Sequence, residues 1–277
     1  MTIRKESVAV ITGAGSGIGR ALAKRFAAEG VAGIAIADVN REGLEETAGM
    51  LGDAKVSQHI VDVSDRTAMQ GFVEDVIREH GRVTHVINNA GVALGGTLKE
   101  VSLEEIEWLM GVNFWGVVHG TKLFMPHLEK EAEAHIVNIS SLFGFVAPPG
   151  QAAYCASKFA VRGFTEVLRH ELEGTNIAVS VVHPGGVRTN IANSARIAED
   201  TVHTPDEIER RLKRINRNLS TTTPDRAAET IIHGIKKRSP RILVGPDAQL
   251  LSWIQRLFPK RYLAIANAIS GGKLKET

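Results

Sequence analysis

The sequence is nearly devoid of cysteine: among its 277 residues, Cys155 carries the single thiol. One cysteine excludes an intrachain disulfide and any zinc module that needs several cysteines. Apolar runs are also short. None approaches the ~20 residues of a membrane-spanning helix, and none near the N-terminus resembles a signal-peptide core. These features are typical of a protein in a reducing compartment, so we expect a cytoplasmic location.

The sequence also has no large excess of positive or negative charge. Lys and Arg total 33 and Asp and Glu total 31, which gives a formal net charge of +2. Such a balance argues against an extended nucleic-acid surface. The histidines do not form a metal-ligand pattern, and no H-E-x-x-H sequence occurs. We therefore expect neither nucleic acid nor a metal ion as a partner.

The sequence does contain a regular alternation of short apolar runs and longer amphipathic patterns. The apolar runs predict strands at Ser7–Thr12, Ala32–Asp38, Lys55–Val61, Val83–Asn89, Ala134–Ser140, Ile177–His183 and Arg241–Val244. The amphipathic patterns predict helices at Gly17–Glu29, Arg41–Leu51, Asp65–His80, Ser102–Leu109, Val112–Leu128 and Gln151–Leu172. Apolar strands that alternate with helices indicate a parallel sheet covered on both faces. We expect an α/β fold, with one doubly wound Rossmann-type domain of about seven strands at residues 1–245 and a helical extension at 246–277.

A glycine-rich turn joins the first predicted strand to the first helix. Gly13, Gly17 and Gly19 form the pattern G-x-x-x-G-x-G. Glycines at such a turn permit positive φ and let the backbone approach a phosphate closely. The helix that follows would direct free N–H groups and its positive dipole end at a pyrophosphate. The turn therefore predicts a dinucleotide site, with a glycine turn that binds no ligand as the alternative.

An acidic residue, Asp38, ends the second predicted strand, 19 residues after Gly19. A carboxylate there can accept hydrogen bonds from the adenosine ribose hydroxyls, and its charge would repel a 2′-phosphate. The next residue is Val39 rather than a basic residue. These features favour NAD over NADP, although Arg41 is close enough in sequence to leave NADP as the alternative.

Further motifs follow in a fixed order: Asp62-Val63, Asn88-Asn89-Ala90-Gly91, Asn113, Ser140-Ser141, Tyr154-x-x-x-Lys158, and Pro184-Gly185 with Thr189. With the glycine turn, these motifs resemble those of the short-chain dehydrogenase/reductase family over about residues 5–245. The resemblance implies a catalytic tetrad of Asn113, Ser141, Tyr154 and Lys158. It also implies a cofactor site formed by Gly13, Ser16, Gly17, Ile18, Gly19, Asp38, Asp62, Val63, Asn89, Ala90, Gly91, Tyr154, Lys158, Pro184, Gly185, Val187 and Thr189.

The spacing of Tyr154 and Lys158 has a chemical reason of its own. Residues i and i+4 project from one face of a helix. A free tyrosine has a pKa of ~10, and a nearby ammonium favours the phenolate. We therefore expect Lys158 to lower the pKa of Tyr154 towards the working range of a general acid/base. Ser141, or alternatively Ser140, would hold the substrate oxygen, and the resemblance makes Asn113 part of a proton relay.

These inferences predict an NAD-dependent oxidoreductase that interconverts a secondary alcohol and a ketone, acting on a small and largely apolar molecule. An NADP-dependent carbonyl reductase and a non-catalytic NAD-sensing protein are the alternatives. The resemblance implies a homotetramer or homodimer, built through helices at Phe114–Leu128 and Gln151–Leu172. It also implies a substrate lid at residues 190–222, with a charged helix at Glu207–Arg217 that could instead attract an anionic substrate. Cys155 is expected to be a buried structural thiol, and His183 could line the site.

The C-terminal extension has apolar residues at helical spacing. We expect an amphipathic helix at Asp247–Phe258, an interruption at Pro259, and a second apolar face from Tyr262 to Ile269. This face could pack on the protein itself or a sister subunit, cap an apolar substrate pocket, or lie on a membrane surface beside Lys260 and Arg261. We expect truncation after Gly245 to expose apolar surface, to cause aggregation or a change of oligomer size, and to leave the glycine-rich turn unaffected.

Overall fold

Seven parallel strands form the central sheet of the computed structural model, which describes residues 3–189, 191, 194–201, 204, 207 and 222–269. These strands are β1 (Val8–Thr12), β2 (Gly33–Asp38), β3 (Val56–Ile60), β4 (His85–Asn88), β6 (Ala134–Ile139), β7 (Ile177–Pro184) and β9 (Arg241–Val244). Their order in the sheet is β3-β2-β1-β4-β6-β7-β9. Two short strands, β5 (Leu94–Gly95) and β8 (Arg196–Ile197), pair separately in parallel.

Burial along the strands explains their sequences. Every residue of β1, β4, β6 and β7 is buried, whereas the edge strands β3 and β9 alternate between buried and more exposed positions. A central parallel strand has helices on both sides, so it requires an apolar side chain in both directions. The predicted α/β fold with a seven-stranded doubly wound sheet is confirmed.

Helices cover the two faces of the sheet. They are α1 (Gly17–Ala28), α2 (Arg41–Gly49), α3 (Arg66–His80), α4 (Leu103–Met110), α5 (Gly116–Leu128), α6 (Ala152–Glu171), α7 (Pro224–Lys236), α8 (Pro246–Leu257) and α9 (Tyr262–Ile269). Leu22 of α1 and Ile231 of α7 belong to the core on one face. Phe72 of α3, Phe124 of α5 and Leu168 of α6 belong to the core on the other.

Two helical segments differ from the sequence prediction. Residues 111–115 form a π-helical turn before α5, where a continuous α-helix from Val112 was expected. Helix α7 was missed, although Thr223 caps it by accepting a hydrogen bond from Arg226 N–H and Pro224 occupies its first turn. Those residues are recognisable start signals for a helix. The predicted lid at 190–222 and its helix at Glu207–Arg217 lie largely outside the described residues.

The C-terminal extension forms two helices, as expected, and packs in part on its own chain. Ala248, Ile254 and Ala266 are buried, and the Tyr262 hydroxyl accepts a hydrogen bond from the Ala147 N–H at 3.2 Å. A second apolar set stays exposed, namely Leu250, Trp253, Leu257 and Phe258. Contacts of this second set with a sister subunit or a membrane surface stay predictions, as does the domain boundary at residue 245. Within the described residues, no helix is long and apolar enough to cross a membrane.

Two buried histidines face each other across β4 and β6. His85 pairs in register with His135, and their rings stack with centroids 6.5 Å apart. The ring Nδ1 of His85 lies 2.8 Å from Thr84 Oγ1. Burial lowers the pKa of His85 to about 4 and that of His135 well below its ordinary value. Both rings are therefore neutral in the folded protein near pH 7.

We predict that this pair makes the fold sensitive to acid. The unfolded chain takes up a proton at His85 below about pH 6.5, whereas the folded chain resists until about pH 4. The free energy of unfolding should therefore fall between these values, by about 3 kcal/mol at pH 4 for a shift of this size. Urea unfolding of the wild type and of His85→Asn, which does not titrate, measures the difference. Equal pH dependence in the two proteins would contradict this assignment.

Candidate active site

The glycine-rich turn lies at the carboxyl end of β1, beside the end of β4. The sheet order reverses between these two strands, since β1 continues to β2 and β4 continues to β6. In doubly wound sheets, a ligand binds in the crevice at this switch point. The turn approaches the segment after β4 closely, because a Cβ on Gly13 would lie 2.7 Å from the Cα of Ala90.

Backbone geometry keeps the turn free of large side chains. Gly13 and Gly17 have φ angles of 65° and 53°, values that favour glycine. A Cβ on Gly19 would overlap the carbonyl oxygen of Gly13. Ser16 is extended and its side chain makes no capping hydrogen bond, so the first N–H groups of α1 have no side-chain cap. Ile18, in the first turn of α1, packs against the core instead.

A pair of polar side chains joins the ends of β1 and β4. Thr12 Oγ1 accepts hydrogen bonds from the N–H groups of Asn89 and Ala90 at 3.0 and 3.1 Å. Asn89 Nδ2 donates to the carbonyls of Thr12 and Gly13 at 2.9 and 3.0 Å. Sequence reasoning identified Asn89 but missed Thr12. The available signal was a hydroxyl at the last position of an otherwise apolar strand.

The carboxylate of Asp38 lies against the same turn. Its Oδ2 accepts a hydrogen bond from Gly15 N–H at 2.9 Å, and its Oδ1 accepts one from Asn40 N–H at 3.0 Å. The arginine that reaches this region, Arg20, is paired with Glu46 at 2.7 Å. Asp38 therefore places a carboxylate in direct contact with the turn.

Asp62 and Val63 follow β3 and lie in different environments. Asp62 is exposed and its Oδ1 accepts hydrogen bonds from the backbone and hydroxyl of Ser64, at 2.9 and 2.7 Å. Val63 is buried and packs closely against Gly116, where a Cβ would lie 2.6 Å from its Cγ2. Of the pair, Asp62 alone offers an exposed side chain for a ligand.

Tyr154 and Lys158 lie one turn apart on α6. The Lys158 Nζ is 5.8 Å from the centroid of the Tyr154 ring and donates a hydrogen bond to the Ile139 carbonyl at 3.2 Å. Burial raises the pKa of Tyr154 to about 12, while a hydrogen bond from Ser141 opposes the rise. Burial also lowers the pKa of Lys158 to about 8. The expectation of a lowered tyrosine pKa is therefore wrong for this structure, because the effect of burial is larger than that of the Ser141 hydrogen bond.

The two serines after β6 have different partners. Ser140 Oγ is buried and donates to the Lys158 carbonyl at 2.8 Å, which fixes it against the α6 backbone. Ser141 Oγ accepts from Phe143 N–H at 3.1 Å and also bonds Tyr154. His183 lies behind Ser141 and its Nδ1 is 2.8 Å from the Ser141 carbonyl. Ser141 is thus the hydroxyl beside the tyrosine, and His183 supports it from the buried side.

Asn113 is fully buried within the π-helical turn. Its Oδ1 accepts from Val92 N–H at 2.8 Å, and its Nδ2 donates to the Val92 carbonyl at 3.0 Å and to Ser157 Oγ at 3.2 Å. A Cβ on Gly91 would lie 3.2 Å from Asn113 Oδ1 and 3.3 Å from Lys158 Nζ. Asn113 and Lys158 therefore meet at Gly91. A proton relay through Asn113 stays a prediction, since these bonds hold the backbone.

The loop after β7 carries the remaining predicted residues. Gly185 N–H donates to the Val244 carbonyl at 2.9 Å, and Val187 forms an isolated parallel bridge with Thr222. The Thr189 methyl carbon would lie 3.1 Å from a Cβ on Gly17, so Thr189 lies beside the glycine-rich turn. Pro184 is buried as the last residue of β7.

A residue that sequence reasoning missed holds this loop from the extension. Asp247 Oδ2 accepts a hydrogen bond from Gly186 N–H at 2.6 Å. Truncation after Gly245 would remove Asp247 and its bond to Gly186, whereas the expectation that such truncation leaves the glycine-rich turn at Thr12–Gly19 unaffected stays a prediction. The available signal was an acidic residue in the first turn of a helix that begins at the end of β9.

The remaining candidates do not form a further reactive site. Cys155 is buried, with Sγ 3.8 Å from the Val146 carbonyl, and burial raises its pKa to about 12. This supports the structural role expected for the thiol. In the part of the chain that the structure describes, no three His, Cys, Asp or Glu side chains come together as a possible metal site.

A family model described as short chain dehydrogenase matches residues 7–200 of the sequence. The chain belongs to the short-chain dehydrogenase/reductase family. It is 42% identical over 266 residues to SadH of Mycobacterium tuberculosis, whose name describes an oxidoreductase, with 94% of each chain covered. Membership of this family, whose matched relatives are named oxidoreductases and reductases, identifies the chain as an oxidoreductase.

Two further proteins match most of the length of this chain. A 3-ketodihydrosphingosine reductase of Bacteroides thetaiotaomicron is 33% identical over 258 residues, which cover 89% of this chain and 93% of the reductase. A short-chain dehydrogenase/reductase from Burkholderia phymatum, solved in complex with NAD, is 33% identical with a TM-score of 0.85. The likeness covers 93% of this chain and 95% of that one. The open helix terminus, the glycine cradle and Asp38 fit a nicotinamide dinucleotide.

We predict that Asn113 contributes more to stability than its small size suggests. Asn113→Leu keeps similar volume but leaves the N–H and carbonyl of Val92 without their partners. Unpaired buried groups cost about 1–3 kcal/mol each, so the free energy of unfolding should fall by about 2–6 kcal/mol. Denaturant titration measures the loss. The control Ser157→Ala removes one partner of Asn113 and should cost about 1 kcal/mol; a larger loss in the control would contradict this account.

Proposed function

We propose that the chain is an NAD-dependent dehydrogenase/reductase that interconverts a secondary alcohol and a ketone. The observation that carries the proposal is the meeting of Ser141, Tyr154 and Lys158 at the carboxyl end of the sheet. Ser141 bonds Tyr154, and Lys158 lies behind the tyrosine ring at 5.8 Å from its centroid. Catalytic groups of open α/β sheets occupy this end, next to the cofactor crevice.

The roles follow from the chemistry of these side chains. A bound nicotinamide supplies or accepts the hydride, so the reaction needs no metal. Ser141 holds the substrate oxygen beside Tyr154. The tyrosine, whose pKa is raised to about 12, is protonated near pH 7 and can donate its proton to the oxygen as a ketone is reduced. In the oxidative direction the same group accepts the alcohol proton.

Lys158 acts on Tyr154 through its charge. Its ammonium favours the phenolate form, which the oxidative direction requires. Burial lowers the pKa of Lys158 to about 8, which still leaves most of the lysine charged near pH 7. The family resemblance adds a contact of Lys158 with the nicotinamide ribose and makes Asn113 the residue that holds a water connecting Lys158 to solvent as a proton relay. The hydrogen bond to the Ile139 carbonyl holds the Lys158 ammonium in place, which supports both its effect on Tyr154 and its contact with the ribose.

The cofactor preference rests on Asp38. Its carboxylate lies beside the glycine-rich turn, where it can accept hydrogen bonds from ribose hydroxyls and repel a 2′-phosphate. Arg20 is paired with Glu46, which leaves it less able to hold a phosphate. Arg41 is exposed at the start of α2. It is the residue through which the alternative, an NADP-dependent carbonyl reductase, would act.

A largely apolar substrate fits the surroundings of Tyr154. Tyr154 packs against a buried apolar cluster of Leu94, Leu109 and Ala153, and Phe143 meets its ring edge-on with centroids 6.1 Å apart. Apolar walls with a few polar groups are typical of small-molecule sites. The relative named as a 3-ketodihydrosphingosine reductase supports an apolar ketone as the substrate class.

Exposed apolar residues near α5 and α6 support self-association. Trp115, Phe159 and Val167 are 52%, 41% and 58% exposed in the single chain. Large apolar side chains grouped on one surface favour a protein interface. We infer a homodimer or homotetramer through these helices. Light scattering would give a mass at least twice the 29.9 kDa of the chain, and a monomer at micromolar concentration would contradict the inference.

We predict that Tyr154→Phe lowers turnover by about 10²–10⁴-fold, the usual contribution of general acid–base catalysis. The change removes one hydroxyl and keeps the ring, so NADH binding should persist. The chain has two tyrosines, and Tyr262→Phe is the matched control that should retain turnover. Steady-state rates with a panel of secondary alcohols measure the effect. Full activity of Tyr154→Phe would exclude the role, and a wild type that binds NADH without turnover on any substrate would favour the sensing alternative.

We also predict that Asp38 sets the choice between cofactors. Asp38→Ser should weaken NAD binding by about ten- to a hundredfold and improve NADP binding, because a hydrogen-bond acceptor and a repulsive charge are lost together. Glu42→Ala, which removes an exposed acid from the first turn of α2, is the control and should leave the ratio unchanged. Fluorescence titration with NADH and NADPH measures both affinities. Preference of the wild type for NADPH would contradict the assignment.

A further inference from the structure

Asp247 connects the C-terminal extension to the loop that follows β7. It lies in the first turn of α8, and its Oδ2 accepts a hydrogen bond from the Gly186 N–H at 2.6 Å. Gly186 is 61 residues away in sequence. A short bond from a peptide N–H to a carboxylate is stronger than one between neutral groups. The contact therefore ties the extension to the cofactor site.

The loop is shaped to receive this carboxylate. A Cβ on Gly185 would overlap both oxygens of Asp247, and a Cβ on Gly245 would lie 2.6 Å from Oδ1. The side chain thus lies flat against the peptide between Gly185 and Gly186. An alanine at position 185 would displace it.

One oxygen of Asp247 lacks a compensating contact. Its Oδ1 is buried, and within the described part of the chain no hydrogen-bond donor reaches it. A buried acceptor without a partner lowers stability. Packing alone therefore does not account for a carboxylate at position 247, whereas the hydrogen bond to Gly186 does.

The contact that Asp247 makes with the loop differs from the loop's other contacts, because it involves a side chain. Gly185 N–H bonds the Val244 carbonyl at 2.9 Å, Thr222 N–H bonds the Gly186 carbonyl at 3.1 Å, and Arg188 N–H bonds the Thr222 carbonyl at 2.9 Å. These are backbone bonds. Asp247 adds a side-chain bond at Gly186, directly before Val187. A substitution can remove this bond without altering the loop's own sequence.

We propose that Asp247 is a positioning residue for the nicotinamide half of the cofactor site. Through Gly186 it sets the path of the backbone from Val187 to Thr189, which the resemblance places at the nicotinamide. The adenosine half depends on Asp38 and the glycine-rich turn and does not touch Asp247. The inference rests on the proposed cofactor site, and it assigns to the extension a role in that site.

The test compares two ligands that differ in the nicotinamide half. NADH contains both halves of the cofactor, whereas ADP-ribose lacks the nicotinamide. In Asp247→Ala, NADH affinity should fall by about tenfold, because NADH must then order a loop that the hydrogen bond between Asp247 and Gly186 no longer holds in place. ADP-ribose affinity should stay within about twofold, a change worth little free energy. Isothermal titration calorimetry measures both constants on the full chain.

Matched variants separate positioning from general damage. Asp247→Asn keeps an oxygen that can accept from Gly186 N–H and should recover most of the NADH affinity. Gln249→Ala, on an exposed position of the same helix, should match the wild type for both ligands. If Asp247→Ala does not fold, Asp247→Leu offers a second route, because its side chain has the same branched shape and cannot accept the hydrogen bond from Gly186 N–H. It should produce the same selective loss of NADH.

Two results would overturn the proposal. Unchanged NADH affinity in folded Asp247→Ala would show that the bond has no effect on the site. Equal losses of NADH and ADP-ribose would show a general structural role. A wild type that binds neither ligand would instead contradict the proposed function itself, and is recognised before any variant is made.

Discussion

The site depends on a close approach between two backbone segments at the middle of the sheet. The turn after β1 and the segment after β4 come so near that a Cβ on Gly13 would lie 2.7 Å from the Cα of Ala90. Thr12 and Asn89 hold this approach with four hydrogen bonds in both directions. Glycine is required here for geometric reasons. Because the two segments are fixed, the open end of α1 and the acidic Asp38 keep a defined separation from α6.

On the other side of the crevice, burial changes the pKa values of the two ionisable side chains, Tyr154 and Lys158. Helix α6 presents Tyr154 to the crevice and keeps Lys158 almost wholly enclosed. Enclosure disfavours both charged forms, so it moves the pKa of the tyrosine up and that of the lysine down. The free side chains have nearly equal pKa values, and burial separates them to about 12 for Tyr154 and about 8 for Lys158, because it makes both groups harder to ionise. Proton transfer at such a pair responds strongly to any change in the local field.

Features of the fold and site that depend on residues close together in the sequence were predictable, and features that depend on distant residues were not. Strand positions, the glycine-rich turn and the Tyr154–Lys158 pair are local patterns, and the structure contains each of them. Thr12 and Asp247 were missed because their partners, Asn89 and Gly186, are 77 and 61 residues away. The raised pKa of Tyr154 was missed because burial depends on the whole fold. Helix α7 is different, since Thr223 and Pro224 signalled it locally.

The attachment of the loop after β7 to the last strand has a consequence for biosynthesis. Gly185 is held by Val244, and Gly186 by Asp247. A chain made from its N-terminus can complete β1, β2 and β4 with their turn while β9 is still unmade. The half of the crevice nearest Asp38 can therefore form early. The half nearest Thr189 can be completed only after nearly the whole polypeptide has been synthesised. A chain that ends before Val244 would have one finished half-site and a loop that lacks the contacts of both Val244 and Asp247.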